Sequence, residues 1–282
     1  MFSNFANNLL GQKMFSILDS CSKLERKGHK IIHYELGDPD FETDYSIKEA
    51  LIRSLKENNT HYTSSRGLPL LINKITATEK KFYKKLLPEN VQVCIANSAI
   101  FFSMICLLNK NDPIMLPSPY FPTYFSSSRA LSLKNYFYHL EISNNFVPNV
   151  DQIINNIKKF KIKFIVINNP SNPTGVKFDY NLILDLISYC QKKEITILFD
   201  EVYFKTVFEG KKETILNKVN SLKNILVLRS FSKEYFMTGW RIGYLIGDKN
   251  IIKKIQLHAF SEKVKINDII NKRLRIKKVR LS

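Results

Sequence analysis

The stretch "RSFSKEYFMTGWRIGY", residues 229–244, decides how this chain folds. Lys233 follows Ser230 and Ser232, directly after the apolar run 225–228. Eight residues on comes Arg241, set among Gly239, Trp240 and Gly243. An apolar run that ends in hydroxyls, an amine and a guanidinium reads as a buried strand with a polar edge. A lysine can form an imine with a carbonyl. An arginine and serine hydroxyls can hold a phosphate.

Working outward, the same pattern recurs. Residues 91–95, 113–116, 163–167, 195–199, 225–228 and 244–246 read as strands. Three of them are apolar almost throughout, as strands covered on both faces are. Segments 100–108, 150–160 and 180–192 carry apolar residues at helical spacing. Two further helices, 46–57 and about 68–87, precede the first strand. This alternation predicts an α/β fold, a mostly parallel sheet wrapped by helices.

In such sheets ligands sit at the carboxyl ends of the strands. The polar clusters fall there. Asn97-Ser98 follows the strand at 91, and the run from Asn168 to Gly175 follows the strand at 163. Asp200 to Tyr203 follows the strand at 195, and Ser230 to Lys233 the strand at 225. An aspartate after a buried strand can pair with a protonated ring nitrogen. A tyrosine and a neighbouring asparagine can hydrogen-bond a phenolate oxygen. Amine, phosphate grip, carboxylate and phenolate donors together fit pyridoxal phosphate.

Composition narrows the alternatives. A chain of 282 residues can bury one large core or two modest ones. No window reaches the eighteen or so apolar residues of a membrane span. The first residues lack a basic start followed by a long apolar segment, so a cytoplasmic protein is expected. Cys21, Cys94, Cys106 and Cys190 form no CxxC pair, and the five histidines show no metal-ligand spacing. No metal is expected. Neither GxxxxGK nor GxGxxG is present.

The net charge is +18. From Ile251 onward ten Lys and Arg face only Glu262 and Asp268. This basic end reads as a solvated tail rather than a nucleic-acid or membrane anchor. The chain has nine glycines, where average usage gives roughly twenty. Gly37, Gly67, Gly175, Gly239 and Gly243 sit in polar clusters of this kind. Glycine is therefore expected where backbone geometry demands it.

"NNPSNPTG" (168–175), "FDEVY" (199–203) and "SFSKEYFMTGWRIGY" (230–244) resemble, in this order, the signature of the class I/II aminotransferases, the fold type I pyridoxal phosphate enzymes. "LGDPDF" (36–41), "HYTSSRGLPLL" (61–71) and "LPSPYFPTY" (116–124) resemble the family's N-terminal segment, tyrosine loop and ring-stacking loop. The resemblance runs from about residue 11 to residue 252.

It implies a role for each matched residue. Lys233 would hold the cofactor as an internal aldimine and, once freed, shuttle a proton at the substrate's α-carbon. Asp200 would keep the ring nitrogen protonated, and Tyr203 and Asn172 would hold the ring oxygen. Arg241 and Ser230, with Ser232, would grip the phosphate. Ser98 and Ala99 would add contacts there, although Ser98 stands where the family usually has glycine. Phe121 would stack on the ring. Gly37 would approach the substrate carboxylate, beside Asn172. Tyr62 would reach the cofactor phosphate of the other subunit in a homodimer. The bond before Pro173 would be cis.

The resemblance also implies a layout: an N-terminal arm and small-domain segment over 1–45, a cofactor-binding large domain over 46–260, and an atypical basic tail over 261–282. The family continues well past the 41 residues that follow Arg241 here, into a small domain bearing the arginine that grips the substrate carboxylate. A chain without that part is expected to build the cofactor site, to expose an apolar face and to turn over amino acids poorly. The implied activity is transfer of an amino group between an amino acid and a 2-oxo acid. A lyase of the same fold is the near alternative, because "SPYFPTY" (118–124) has some likeness to the stacking loop of aminocyclopropane carboxylate synthases. A homologue that binds cofactor without catalysis is the third.

Overall fold

Among the described residues seven strands build one sheet: β1 (Val91–Cys94), β2 (Pro113–Ser118), β3 (Lys134–His139), β4 (Phe164–Asn168), β5 (Thr196–Asp200), β6 (Ile225–Ser230) and β7 (Gly243–Gly247). The computed structural model describes residues 13–257 except 209 and 211. The basic tail lies outside the described residues.

The strand order is β1-β7-β6-β5-β4-β2-β3. The pairs β2/β3, β2/β4, β4/β5 and β5/β6 are parallel, and β7 runs antiparallel to both β6 and β1. Strands β4 to β7 are buried at every position. Side chains alternate between two cores, as the period of a strand requires. Ile165, Ile167, Phe199, Val227 and Ile246 enter one core, and Phe164, Val166, Leu198, Leu226 and Leu245 the other.

The helices are α1 (Lys13–Glu25), α2 (Tyr45–Lys56), α3 (Pro69–Glu79), α4 (Ala96–Leu107), α5 (Pro122–Ala130), α6 (Val150–Phe160), α7 (Leu184–Lys192), the short α8 (Phe231–Glu234) and α9 (Lys249–Ile255), and those from α3 onward cover the two faces of the sheet. Helix α6 has the expected bounds. The Asn149 side chain caps it by accepting from the Gln152 N–H at 3.0 Å, and Ile153 and Ile157, one turn apart, are buried. The helix expected over 68–87 ends at Glu79. Strand β3 and helix α5 were not foreseen. Among the described residues no helix is long and apolar enough to cross a membrane.

The antiparallel β7 matters most for the site. Ser230 at the end of β6 stands opposite Gly243 at the start of β7. Residues just before β7 therefore reach the same edge as residues just after β4, β5 and β6. A Cβ on Gly243 would lie 2.5 Å from the Arg229 carbonyl oxygen, so glycine permits this close strand contact. Gly67, at φ +107°, packs its backbone on Val93 in the same way. Gly37 and Gly239 have open space around them and no left-handed φ, so glycine there answers no backbone demand.

Apolar side chains stand exposed toward the N-terminal end of the chain. Helix α2 buries none of its residues, and Leu51, Ile52 and Leu55 face outward.

Candidate active site

The edge formed by the ends of β4, β5 and β6 and the start of β7 opens into a cleft of about 1480 Å³. Gly37, Phe121, Asn172, Asp200, Tyr203, Ser230, Ser232, Lys233 and Arg241 all line it. Sequence positions from 37 to 241 thus converge on one volume.

Asp200, the last residue of β5, is 4% exposed. Its Oδ2 accepts from the Tyr124 hydroxyl at 2.5 Å and its Oδ1 from the Val202 N–H at 3.1 Å. Burial pushes its pKa up to about 6, against the pull of those two hydrogen bonds. No basic side chain among the described residues forms an ion pair with it. A buried carboxylate of this kind favours a cationic N–H as its partner.

Lys233 lies on α8, directly after β6. Its ammonium donates to the Gly37 carbonyl. Burial holds its pKa below the ordinary lysine value; Asp38 opposes this and Arg241 adds to it. A lowered amine pKa raises the share of the neutral, nucleophilic form.

Asn172 Nδ2 donates to the Tyr203 hydroxyl at 3.3 Å, so the two side chains expected at a ring oxygen are already paired. The loop that carries Asn172 is fixed by Asn168. Its Oδ1 accepts from the Asn172 N–H at 2.6 Å, and its Nδ2 donates to the Asp200 carbonyl at 3.0 Å. The Asn172-Pro173 bond is cis, as expected, and so are Ser118-Pro119 and Asn169-Pro170. Ser230 Oγ accepts from the Ser232 N–H at 3.1 Å. Arg241 takes a left-handed φ of 55° and donates from Nη1 to the Thr238 carbonyl at 2.8 Å.

Two expected phosphate contacts, Ser98 and Ala99, do not line the cleft. Helix α4 begins at Ala96, so Ala96 and Asn97 line the cleft and Ser98 does not. Ala99 is fully buried, and its N–H is committed to the Ile95 carbonyl at 2.9 Å. Tyr62 is 70% exposed and stands outside the cleft of its own chain.

Two features escaped sequence reasoning. Tyr124 lies in the stretch 116–124 but drew no role from it. Its signal was available: it lies three residues after Phe121, which also lines the cleft. The second is a buried network behind the edge. Arg229 pairs with Glu201 and, at 3.4 Å, with Glu79. Arg229 also donates to Thr214 Oγ1 at 2.8 Å and lies 3.7 Å over the Phe204 ring. Glu79 accepts from the Tyr244 hydroxyl at 2.6 Å, and Glu201 accepts from Thr214 at 2.7 Å and from Tyr180. Glu201, Phe204, Arg229 and Tyr244 are each the chain neighbour of a residue at the site edge: Asp200, Tyr203, Ser230 and Gly243. Alternation along β6 and β7 points Ser230 to the cleft side and Arg229 and Tyr244 to the network; Glu201 and Phe204 reach it from the turn after β5.

The donor set fits pyridoxal phosphate. A buried carboxylate with no basic partner suits a pyridinium N–H, and an amine of lowered pKa suits an aldehyde. Two serines and an arginine suit a phosphate dianion.

A family model for aminotransferase class I and II matches residues 30–260. The chain belongs to this family, whose members depend on pyridoxal phosphate. It is 34% identical over 260 residues to a (5-formylfuran-3-yl)methyl phosphate transaminase of Methanocaldococcus jannaschii, covering 90% of this chain and 66% of that one. It is 33% identical over 251 residues to an aspartate aminotransferase of Pyrococcus horikoshii, covering 88% and 63%. Among solved structures, an aspartate aminotransferase of Thermotoga maritima superposes with a TM-score of 0.87 at 27% identity, covering 96% and 73%. The chain thus spans just under two thirds of the length of these two curated relatives.

Proposed function

We propose that this chain carries the cofactor site of a pyridoxal phosphate-dependent aminotransferase, which moves an amino group between an amino acid and a 2-oxo acid. The observation that carries the reading is the convergence of Lys233, Asp200 and Arg241 on one cleft from three different strand ends. When bound, pyridoxal phosphate supplies an aldehyde that takes up the amino group and a ring that accepts electrons.

The chain's own residues do the rest. Lys233 Nζ would hold the aldehyde and, when free, would take the proton from the substrate's α-carbon; its lowered pKa suits both tasks. Asp200, which accepts from Tyr124 and Val202, would hold the ring nitrogen. Tyr203 and Asn172 hold the ring oxygen. Arg241, Ser230 and Ser232 would hold the phosphate, near the start of α4, where Ala96 and Asn97 line the cleft and a helix N-terminus favours an anion. Phe121 closes one face of the ring. Gly37 and Asn172 lie where substrate enters. Tyr62 serves the site of a second copy in a homodimer, and the protein works in the cytoplasm.

The test is a donor panel. Full-length chain with pyridoxal phosphate is mixed with single amino acids, and oxo-acid products are identified by mass. Oxo acid formed in proportion to enzyme, and absent with Lys233→Ala, supports the reading. Release of ammonia with pyruvate, needing no oxo-acid acceptor, would overturn transamination in favour of a lyase.

A further inference from the structure

At the margin of the cleft, the described residues bring one thiol, one imidazole and two carboxylates together near the N-terminal end of the chain. Cys21 and Glu25 lie four residues apart on α1, hence on one face of that helix. The helix ends in a turn at Gly28, with φ +90°, where the His29 N–H bonds the Leu24 carbonyl at 3.2 Å. This turn sends the chain back along α1 and delivers His33 and Glu35 to the same face. His33 Nε2 lies 2.9 Å from Glu25 Oε1, and its Nδ1 lies 2.6 Å from Glu35 Oε1. Donor atoms of Cys21, His33 and Glu35 all lie within 4.8 Å of one another.

We propose that Cys21, His33 and Glu35 bind a zinc-type divalent cation, with Glu25 orienting the imidazole from behind. Ligand atoms in a tetrahedral zinc shell stand about 3.5 Å apart, given the usual bond lengths. The three donors thus need only about one ångström of side-chain adjustment. One sulfur, one nitrogen and one oxygen suit zinc, whereas calcium and magnesium ask for oxygen alone. A carboxylate on the far nitrogen of a ligating histidine is the usual support of such a site. Here Glu25 on Nε2 leaves Nδ1 facing Glu35.

Charge supports the same reading. The Glu35 side chain is only 6% exposed, and its one ion-pair partner among the described residues is His33. A buried carboxylate beside a thiol gains from a cation of higher charge.

The placement has a consequence for the cleft. Glu35 lines it, and two residues on, the Gly37 carbonyl accepts from Lys233. The ion would therefore clasp the segment that touches the lysine to helix α1. No familiar zinc spacing announces the site. The spacing of the histidines and cysteines pointed away from a metal, because two of the three ligands are not histidines and the turn at Gly28 sets their meeting.

The test uses the full chain after chelator treatment, titrated with Zn²⁺ by calorimetry and with Co²⁺ by absorption. One equivalent of each is expected to bind, and Co²⁺ to give a near-ultraviolet thiolate charge-transfer band. The band should vanish in Cys21→Ser. Zinc affinity should fall at least tenfold in Cys21→Ser and in His33→Ala, and stay unchanged in Cys106→Ser. Circular dichroism and pyridoxal phosphate binding check that the variants fold. No stoichiometric uptake by the parent chain would overturn the proposal. So would uptake that folded Cys21→Ser and His33→Ala retain at full affinity.

Discussion

The Tyr124 hydroxyl donates to Asp200 Oδ2 at 2.5 Å, joining helix α5 to the end of β5 across 76 residues of sequence. Tyr124 is fully buried, and burial together with the Asp200 charge holds its pKa well above the ordinary tyrosine value. It therefore acts as a fixed donor to the carboxylate. Replacing it by phenylalanine leaves Asp200 with the Val202 N–H as its remaining donor on the side chain. Pyridoxal phosphate affinity in Tyr124→Phe should fall roughly 5- to 30-fold, the equivalent of about 1–2 kcal/mol. Equilibrium titration of the cofactor measures this. Unchanged affinity would remove Tyr124 from the site.

Asp200 also carries a stability cost in the cofactor-free chain. Its folded pKa of about 6 lies above the ordinary value of 3.8, with burial the main cause. The folded state then keeps the proton to higher pH than the unfolded state. Stability falls as pH rises from about 4 through 6, and the full cost is present at pH 8. Asp200→Asn imitates the protonated acid, with the Tyr124 hydroxyl turning to accept. In the cofactor-free chain the variant should gain about 1–3 kcal/mol at pH 8 and little at pH 4, while cofactor affinity drops. Urea denaturation at the two pH values checks the sign. A loss at pH 8 would contradict it.

Arg229 sits fully buried between Glu79 and Glu201. Removing it strands two carboxylates in the core. Arg229→Met should cost about 3–5 kcal/mol of folding free energy. Arg229→Lys should rescue little, because one ammonium cannot reach both glutamates and Thr214 as the planar guanidinium does. Denaturant midpoints of the two variants, measured side by side, decide it.

Gly243 and Gly239 offer a matched pair. A methyl group on Gly243 would collide with the Arg229 carbonyl, and one on Gly239 would meet nothing within 4 Å. Gly243→Ala should lose about 1–3 kcal/mol. Gly239→Ala should stay within about 0.5 kcal/mol of the parent. Thermal melts of both would show whether the difference exists.

The sheet was legible because β4, β5, β6 and β7 are buried on both faces, and such strands spell themselves as apolar runs. Strand β3 was not, because it is an edge strand; Lys134 and His139 are exposed and the alternation is weak. Helix α5 begins with Pro122 and carries three serines, a composition that suits a loop; only the packing of Tyr124 and its neighbours holds it helical. The helix from 68 overran because Leu86 is buried and apolar, yet Phe82 and Tyr83 already bond back to the Glu79 carbonyl in turns. At the site, residues that follow strands were readable from position alone. Ala99 was read as a phosphate contact, but α4 starts at Ala96 and the Ala99 N–H bonds the Ile95 carbonyl, a commitment that position alone does not reveal. The network of Glu79, Glu201 and Arg229 had no local signal, since its members lie up to 150 residues apart.

The central claim is that Lys233 holds the cofactor. The most direct measurement is borohydride reduction of the full chain with pyridoxal phosphate, followed by peptide mass mapping. The account predicts one phosphopyridoxyl group, on Lys233, and loss of the visible cofactor band in Lys233→Ala. Label on other lysines only, or a band that Lys233→Ala leaves intact, would contradict it.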